Sequence, residues 1–129
     1  MSIELWMLFW VAVWALVQIG VASTAAKMQT GIPYSVGPRD EPFKLTGVAG
    51  RLDRAQRNFL ETLPVFIAAV VLVEFSETSG DWSQLGAQAY FWGRVAYFPA
   101  YASGVRWLRT VFWQIAGLGL AAMLLEVVI

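Results

Sequence analysis

Residues 50–66 read GRLDRAQRNFLETLPVF and join a cluster of charged and amide side chains to an apolar segment that continues to Phe75. Several of its polar residues recur at the spacing i, i+3, i+7 and i+10: Arg51, Arg54, Asn58 and Glu61. In a helix this spacing gathers them on one broad stripe and leaves the opposite face apolar. The stretch therefore predicts a helix with one polar stripe.

Glu61 gives this stripe a functional interpretation. A carboxylate within an apolar helix is costly unless it is paired or hydrated, so an ionisable residue there is a candidate for a functional site. We expect Arg54 or Arg57 to be its partner.

The composition indicates an integral membrane protein. The chain has 129 residues, of which 58% are hydrophobic and 14% are charged, whereas soluble domains are about 45–50% apolar. Formal net charge is zero and the basic residues form no run, so a nucleic-acid partner is unsupported. The chain has no cysteine or histidine, and we predict no metal site, because the usual zinc and haem ligands are missing.

Four apolar segments predict an all-α membrane protein, a four-transmembrane-helix antiparallel bundle in a single domain over residues 1–129. The predicted spans are residues 3–26, 51–75, 85–103 and 107–129, with a cytoplasmic loop at 27–50. The first segment is preceded by no basic residue, so we interpret it as a permanent helix rather than a cleaved signal. The loop is long, which is compatible with either a solvated connector or a cover over a site.

The positive charges predict the orientation of the bundle. Lys and Arg lie in the first loop, at its two edges, and in and around the connection between the third and fourth spans. By the positive-inside rule these parts face the cytoplasm, and both termini face the other side of an inner or plasma membrane.

Polar side chains on three helices exceed what one small bundle can satisfy in its interior. We expect some of them to meet at a subunit interface, around a polar cleft near the cytoplasmic side. The candidate donors are Arg54, Arg57, Asn58, Arg94, Tyr97, Tyr101, Arg109 and Thr110. Guanidinium groups match carboxylates in bidentate geometry, and Glu61 could receive an ammonium group. The set predicts a small ligand with two carboxylates and an amine, and an apolar substrate could enter from the bilayer.

Three motifs carry a resemblance to a known family. The segment RLDRAQRNFLETLPVF, the preceding GPRDEP, and the later GRVAYFPAYASG followed by Arg109 resemble the MAPEG family, membrane-associated proteins of eicosanoid and glutathione metabolism. The resemblance implies a four-helix protomer, a homotrimer, and glutathione as co-substrate held between neighbouring protomers.

The resemblance also implies roles for individual residues. Those that would hold the glutathione backbone are Arg54, Asn58 and Glu61, supported by Arg57. Those of the third span that would contact the same ligand are Arg94, Tyr97 and Tyr101. Arg109 matches the arginine that stabilises the glutathione thiolate, and Thr110 stands where some members have a serine hydroxyl beside the thiol. A nearby cation and a hydroxyl donor favour the thiolate, which is the nucleophile.

The chain departs from the family pattern at three points. The spacing from Tyr101 to Arg109 differs by one residue from the animal enzymes, which makes Arg106 a rival for the thiolate role. Lys27 is the only candidate for the arginine that many members have on the first helix. Tyr97 replaces the histidine of the prostaglandin-forming branch, so that chemistry is not expected.

The function expected from the residues and the resemblance together is that of a glutathione-dependent transferase or peroxidase acting on lipophilic electrophiles. The alternative is a non-catalytic lipid-binding membrane scaffold or an accessory subunit of a larger membrane complex. In that case Arg94 could be a structural charge paired with Glu61 or Glu74, Tyr97 and Tyr101 could simply pack, and Arg106 and Arg109 could be membrane-flank anchors. Gly117 and Gly119 are predicted to permit close helix packing.

Overall fold

The computed structural model describes residues 1–129, and its regular secondary structure is entirely helical. The helices are α1 (Ile3–Thr30), α2 (Ile32–Val36), α3 (Gly47–Phe75), α4 (Asp81–Ser103) and α5 (Leu108–Val128). The predicted all-α class is confirmed. Helices α1, α3 and α5 are each long and apolar enough to cross a membrane. Helix α4 has 23 residues but a more polar sequence, so its crossing stays a prediction.

Helix boundaries differ from the predicted spans where local capping decides them. Helix α1 continues beyond residue 26 because nothing interrupts it before Gly31, which has a φ of 83° and ends the helix. The segment predicted as a loop contains the short helix α2, which carries a proline in its first turn. Helix α4 begins at Asp81 rather than at residue 85, because the Glu126 carboxylate accepts hydrogen bonds from the Trp82 and Ser83 amides at 2.8 and 3.0 Å.

The four long helices run alternately in opposite directions between two chemically distinct ends. At the acidic end, carboxylates join the start of α1, the end of α3, the start of α4 and the end of α5; the residues involved are Ser2, Glu4, Glu74, Ser79, Ser83 and Glu126. At the basic end, Arg51 Nε donates to the Ala102 carbonyl at 2.9 Å. Every Lys and Arg except Arg94 belongs to the basic end.

The core is aromatic and aliphatic in the middle of the bundle. Phe66 of α3 stacks on Tyr90 of α4, with ring centroids 4.3 Å apart, and both side chains are fully buried. The Tyr90 hydroxyl is satisfied by Thr62 Oγ1 at 2.9 Å, as a buried phenol requires. This contact fixes α3 against α4 immediately below the polar stripe of α3.

Glycines set the close approach of α4 to α5. A Cβ atom at Gly119 would lie 2.5 Å from the Gly86 carbonyl oxygen, and one at Gly93 would lie 3.0 Å from the Phe112 carbonyl oxygen. The predicted packing role is therefore confirmed for Gly119. The same prediction is wrong for Gly117, where an added Cβ atom would meet nothing within 4 Å. Gly117 lies two residues before Gly119, and two residues along a helix place a side chain on nearly the opposite face.

We expect Gly119→Ala to destabilise the protein by about 1–3 kcal/mol, because the added methyl group forces α4 and α5 apart. Gly117→Ala, on the same helix, is the matched control and should remain within about 1 kcal/mol of wild type. Unfolding of the detergent-solubilised protein by dodecyl sulfate, followed by circular dichroism, measures both. Equal stability of the two variants would contradict this close packing of α4 against α5.

Candidate functional site

A groove between α3, α4 and α5 lies toward the basic end and consists of three adjoining cavities. The arginine cleft has a volume of about 560 Å³ and is lined by residues of all three helices and of the α4–α5 connection. The carboxylate cleft, of about 360 Å³, contains Glu61. The Trp113 cleft, of about 180 Å³, is lined by α3, α4 and α5. Arg109 lines all three cavities, so it occupies the centre of the groove.

The groove gathers all but one of the predicted site residues. Those that line it are Arg54, Arg57, Asn58, Glu61, Tyr97, Tyr101, Arg109 and Thr110. They come from three helices and are separated by up to 56 positions, from Arg54 to Thr110, yet the antiparallel packing brings them to the same end of the bundle. Arg106, the rival of Arg109, lines the arginine cleft only.

Arg94 is the exception and lies behind the groove. Its side chain is 1% exposed, and its Nη1 atom donates to Asn58 Oδ1 at 2.9 Å. Its guanidinium carbon lies 4.1 Å from the centre of the Tyr97 ring, a cation–π distance. No carboxylate is within ion-pair distance, so the alternative pairing with Glu61 or Glu74 is wrong. Arg94 therefore touches the groove through Asn58 and Tyr97, both of which line it.

The predicted partners of Glu61 are also wrong. Arg57 instead pairs with Asp53, Nε to Oδ2 at 3.1 Å, because side chains on a helix lean toward its N-terminus and meet the residue one turn earlier. Arg54 donates from Nε to the Tyr101 hydroxyl at 3.2 Å. Glu61 is left exposed on the wall of the carboxylate cleft without an ion-pair partner.

Tyr101 organises the middle of the groove. Arg54 bonds its hydroxyl, and the Arg109 guanidinium carbon lies 4.2 Å from the centre of its ring. Tyr97 packs edge-on against the same ring, with centroids 5.7 Å apart. The phenol thus separates two cations that would otherwise repel each other, and it fixes both at the boundary between the arginine and carboxylate clefts.

Sequence reasoning missed several residues of the arginine cleft, chiefly Arg51 and Trp107. Arg51 lies one turn before Arg54 on the same polar stripe, so its spacing along the helix could have predicted its place in the cleft. Trp107 could not have been found, because its place in the cleft depends on a left-handed backbone with φ of 71°, which a bulky residue rarely adopts.

These features define a helical membrane protein with a cationic groove between three of its helices. A sequence model of the MAPEG family matches residues 3–129, which is essentially the whole chain. The protein therefore belongs to the MAPEG family, and the resemblance carried by its motifs is confirmed. Membership supports, at the level of the family, a glutathione-related transferase, peroxidase or related function at a membrane. None of the curated proteins matches the chain.

The buried bond between Asn58 and Arg94 can be measured with a double-mutant cycle. We expect Asn58→Ala and Arg94→Met each to lower the free energy of unfolding by about 1–3 kcal/mol. Each substitution removes one partner of the hydrogen bond and leaves the other partner without it. The free energy of unfolding of the double variant should fall by less than the sum of the two single effects, the difference being at least about 1 kcal/mol. Dodecyl sulfate unfolding of the four proteins provides the comparison, and strict additivity would show that the two side chains do not interact.

Proposed function

We propose that the protein is a membrane-bound glutathione-dependent transferase or peroxidase that acts on lipophilic electrophiles. The observation that carries this proposal is the convergence of unpaired guanidinium groups and one unpaired carboxylate on a single groove. Charged side chains without partners are costly beside an apolar bundle, and a ligand of complementary charge offsets that cost. Glutathione has two carboxylates and one ammonium group, which complement these side chains.

The residues present fit the charges of glutathione. The terminal nitrogens of Arg54 have no carboxylate of the chain as an ion-pair partner. Asn58 is held in place by the hydrogen bond that it accepts from Arg94. Glu61 is the only carboxylate on the wall of the groove, which suits it to an ammonium group. We assign the glutathione backbone to Arg54, Asn58 and Glu61, with Arg57, Tyr97 and Tyr101 around it, and a positioning role behind them to Arg94.

We place the thiolate of bound glutathione at the start of α5. Arg109 and Thr110 stand in the first turn of that helix, which has no acidic residue and no side-chain cap. The partial positive charge of a helix N-terminus and a nearby guanidinium both lower a thiol pKa from its usual value of about 8.5. Arg109 is favoured over Arg106 because it lines all three cavities.

The chemistry then follows from the thiolate. With an aryl halide, a carbon–sulfur bond forms and the halide leaves with the bonding electron pair. A bilayer-dissolved electrophile would reach the groove past the exposed side chains of α5, among them Trp113.

We further propose that α4 is a fourth span, that both termini are non-cytoplasmic in an inner or plasma membrane, and that the protein is a homotrimer binding glutathione between protomers. The location of the cations at one end supports the orientation. Exposure of Arg54, Arg57 and Glu61 in the single protomer supports a neighbouring subunit that covers them.

We expect isothermal titration of the detergent-solubilised protein to show glutathione binding that is weakened roughly tenfold or more in Arg54→Ala and Glu61→Ala, since each loses a charged contact. Arg39→Gln removes an exposed arginine outside the groove and serves as the control. If wild type fails to bind glutathione, the protein is better described as the non-catalytic lipid-binding scaffold or accessory subunit.

The thiolate assignment is tested by the ultraviolet absorbance of bound glutathione in a stopped-flow instrument. We expect Arg109→Ala to lower the thiolate fraction at neutral pH roughly tenfold, corresponding to a rise of about one unit in the thiol pKa. Arg106→Ala should retain the wild-type signal. Equal losses in the two variants would contradict the choice of Arg109.

A further inference from the structure

The carboxyl group of Glu4 joins three elements at the acidic end of the bundle. Glu4 stands in the first turn of α1 and is fully buried. Its Oε1 atom contacts the hydroxyl of Ser79, at 2.9 Å, and the hydroxyl of Ser83. Ser79 belongs to the turn between α3 and α4, and Ser83, also fully buried, belongs to the first turn of α4. One carboxyl group therefore holds the start of α1 against the start of α4.

The contacts of Glu4 do not suit a negative charge. The two serine hydroxyls are its only hydrogen-bond partners, and its Oε2 atom is buried without any partner within the protein. The first amides of α4, which would stabilise an anion, already donate to the carboxylate of Glu126. An ionised oxygen without a hydrogen bond is costly to bury, so ionised Glu4 would be poorly stabilised here.

No cation is available at this end of the bundle to offset such a charge. Every Lys and Arg except Arg94 belongs to the basic end, and Arg94 lies roughly 16 Å beyond Ser83 along α4. The Met1 amino group makes no ion pair. The other titratable groups of the elements packed here are acidic: Glu74 at the end of α3, Glu77 in the following turn, Asp81 at the start of α4 and Glu126 at the end of α5. Neighbouring carboxyl groups of like charge favour the uptake of a proton.

The hydrogen bonds around Ser83 can all form only when Glu4 carries a proton. The Ser83 hydroxyl accepts a bond from the Gly80 amide at 3.0 Å and lies 3.0 Å from the Gly80 carbonyl oxygen, besides its contact with Glu4. A hydroxyl has a single proton to donate, so it cannot serve both the carbonyl and an ionised Glu4. A protonated Glu4 donates to Ser83 Oγ and leaves the serine proton for Gly80. The neutral acid therefore fits this arrangement better than the carboxylate.

We propose that Glu4 holds a proton in the folded protein at neutral pH and acts as a pH-sensitive latch. While Glu4 is neutral, the first turn of α1 stays attached to α4. Loss of the proton places an unpaired charge in this buried contact and releases the first turn. The latch lies at the end of the bundle opposite to the groove, so it does not depend on the proposed glutathione chemistry.

The retained proton makes stability depend on pH in a defined direction. An unfolded glutamate is ionised above about pH 4.3, so a proton that the folded protein retains is released on unfolding, and stability falls as pH rises. Glu4→Gln has nearly the same shape as the neutral acid, donates to Ser83 as that acid does, and cannot ionise. We expect the unfolding equilibrium constant of wild type, divided by that of Glu4→Gln, to rise by up to about tenfold per pH unit above about pH 5. The ratio should level off once the folded protein has also lost the proton, and dodecyl sulfate unfolding measures it.

Glu77→Gln is the matched control, because Glu77 is an exposed glutamate in the neighbouring turn. The corresponding ratio for this variant should stay nearly constant with pH. A ratio for Glu4→Gln that does not change with pH would overturn the latch, and so would failure of Glu4→Gln to fold. Either result would show that Glu4 is ionised in the folded protein.

Hydrogen exchange measures the release of the first turn directly. The exchange rate of the amides of residues 6–10, divided by that of an unstructured peptide at the same pH, reports the opening of the start of α1. We expect their protection in wild type to fall roughly tenfold from about pH 6 to about pH 9 and to stay unchanged in Glu4→Gln. Residues 18–22 should keep their protection in both proteins. Constant protection of residues 6–10 in wild type would overturn the latch, and an equal loss in Glu4→Gln would overturn it by assigning the effect to Glu74 or Glu126.

Discussion

A guanidinium group buried within an apolar bundle is costly, and the hydrogen bond from Arg94 Nη1 to Asn58 offsets part of that cost, while Nε and Nη2 of Arg94 have no partner within the protein. Arg94 is buried and lies against the ring of Tyr97. Through these two contacts one arginine fixes an amide of α3 and a phenol of α4, both of which line the groove. Arg94 therefore forms part of the floor of the groove, behind Asn58 and Tyr97.

The charged side chains at one end of the bundle have hydrogen-bond partners within the protein, whereas most of those at the other end do not. At the acidic end, Glu4, Glu74 and Glu126 accept hydrogen bonds from serine hydroxyls and from the first amides of α4, so these carboxyl groups join the helices. At the basic end the arginines have few partners and remain available. A bundle that is tied at one end by its own polar groups can leave the other end open without losing its shape.

The close contact of α4 with α5 determines where Arg109 and Thr110 lie in the groove. Gly86, Gly93 and Gly119 allow backbone to approach backbone, and this approach sets the first turn of α5 against Tyr101. Arg109 therefore sits on the ring of Tyr101 with Thr110 beside it. Neither residue would lie near the stripe of α3 if bulkier side chains separated the two helices.

The sequence by itself determined the helices, the membrane character and the polar stripe from Arg51 to Glu61, because helical periodicity and hydropathy are local properties of the chain. It also identified most of the side chains that meet in the groove, since the family motif fixes their identity and spacing. Only the tertiary structure decided which charges find partners. Arg57 binds Asp53 rather than Glu61, Arg94 is buried behind Asn58, and Trp107 turns into the arginine cleft, because these outcomes depend on side-chain direction and helix packing that spacing along the chain does not encode.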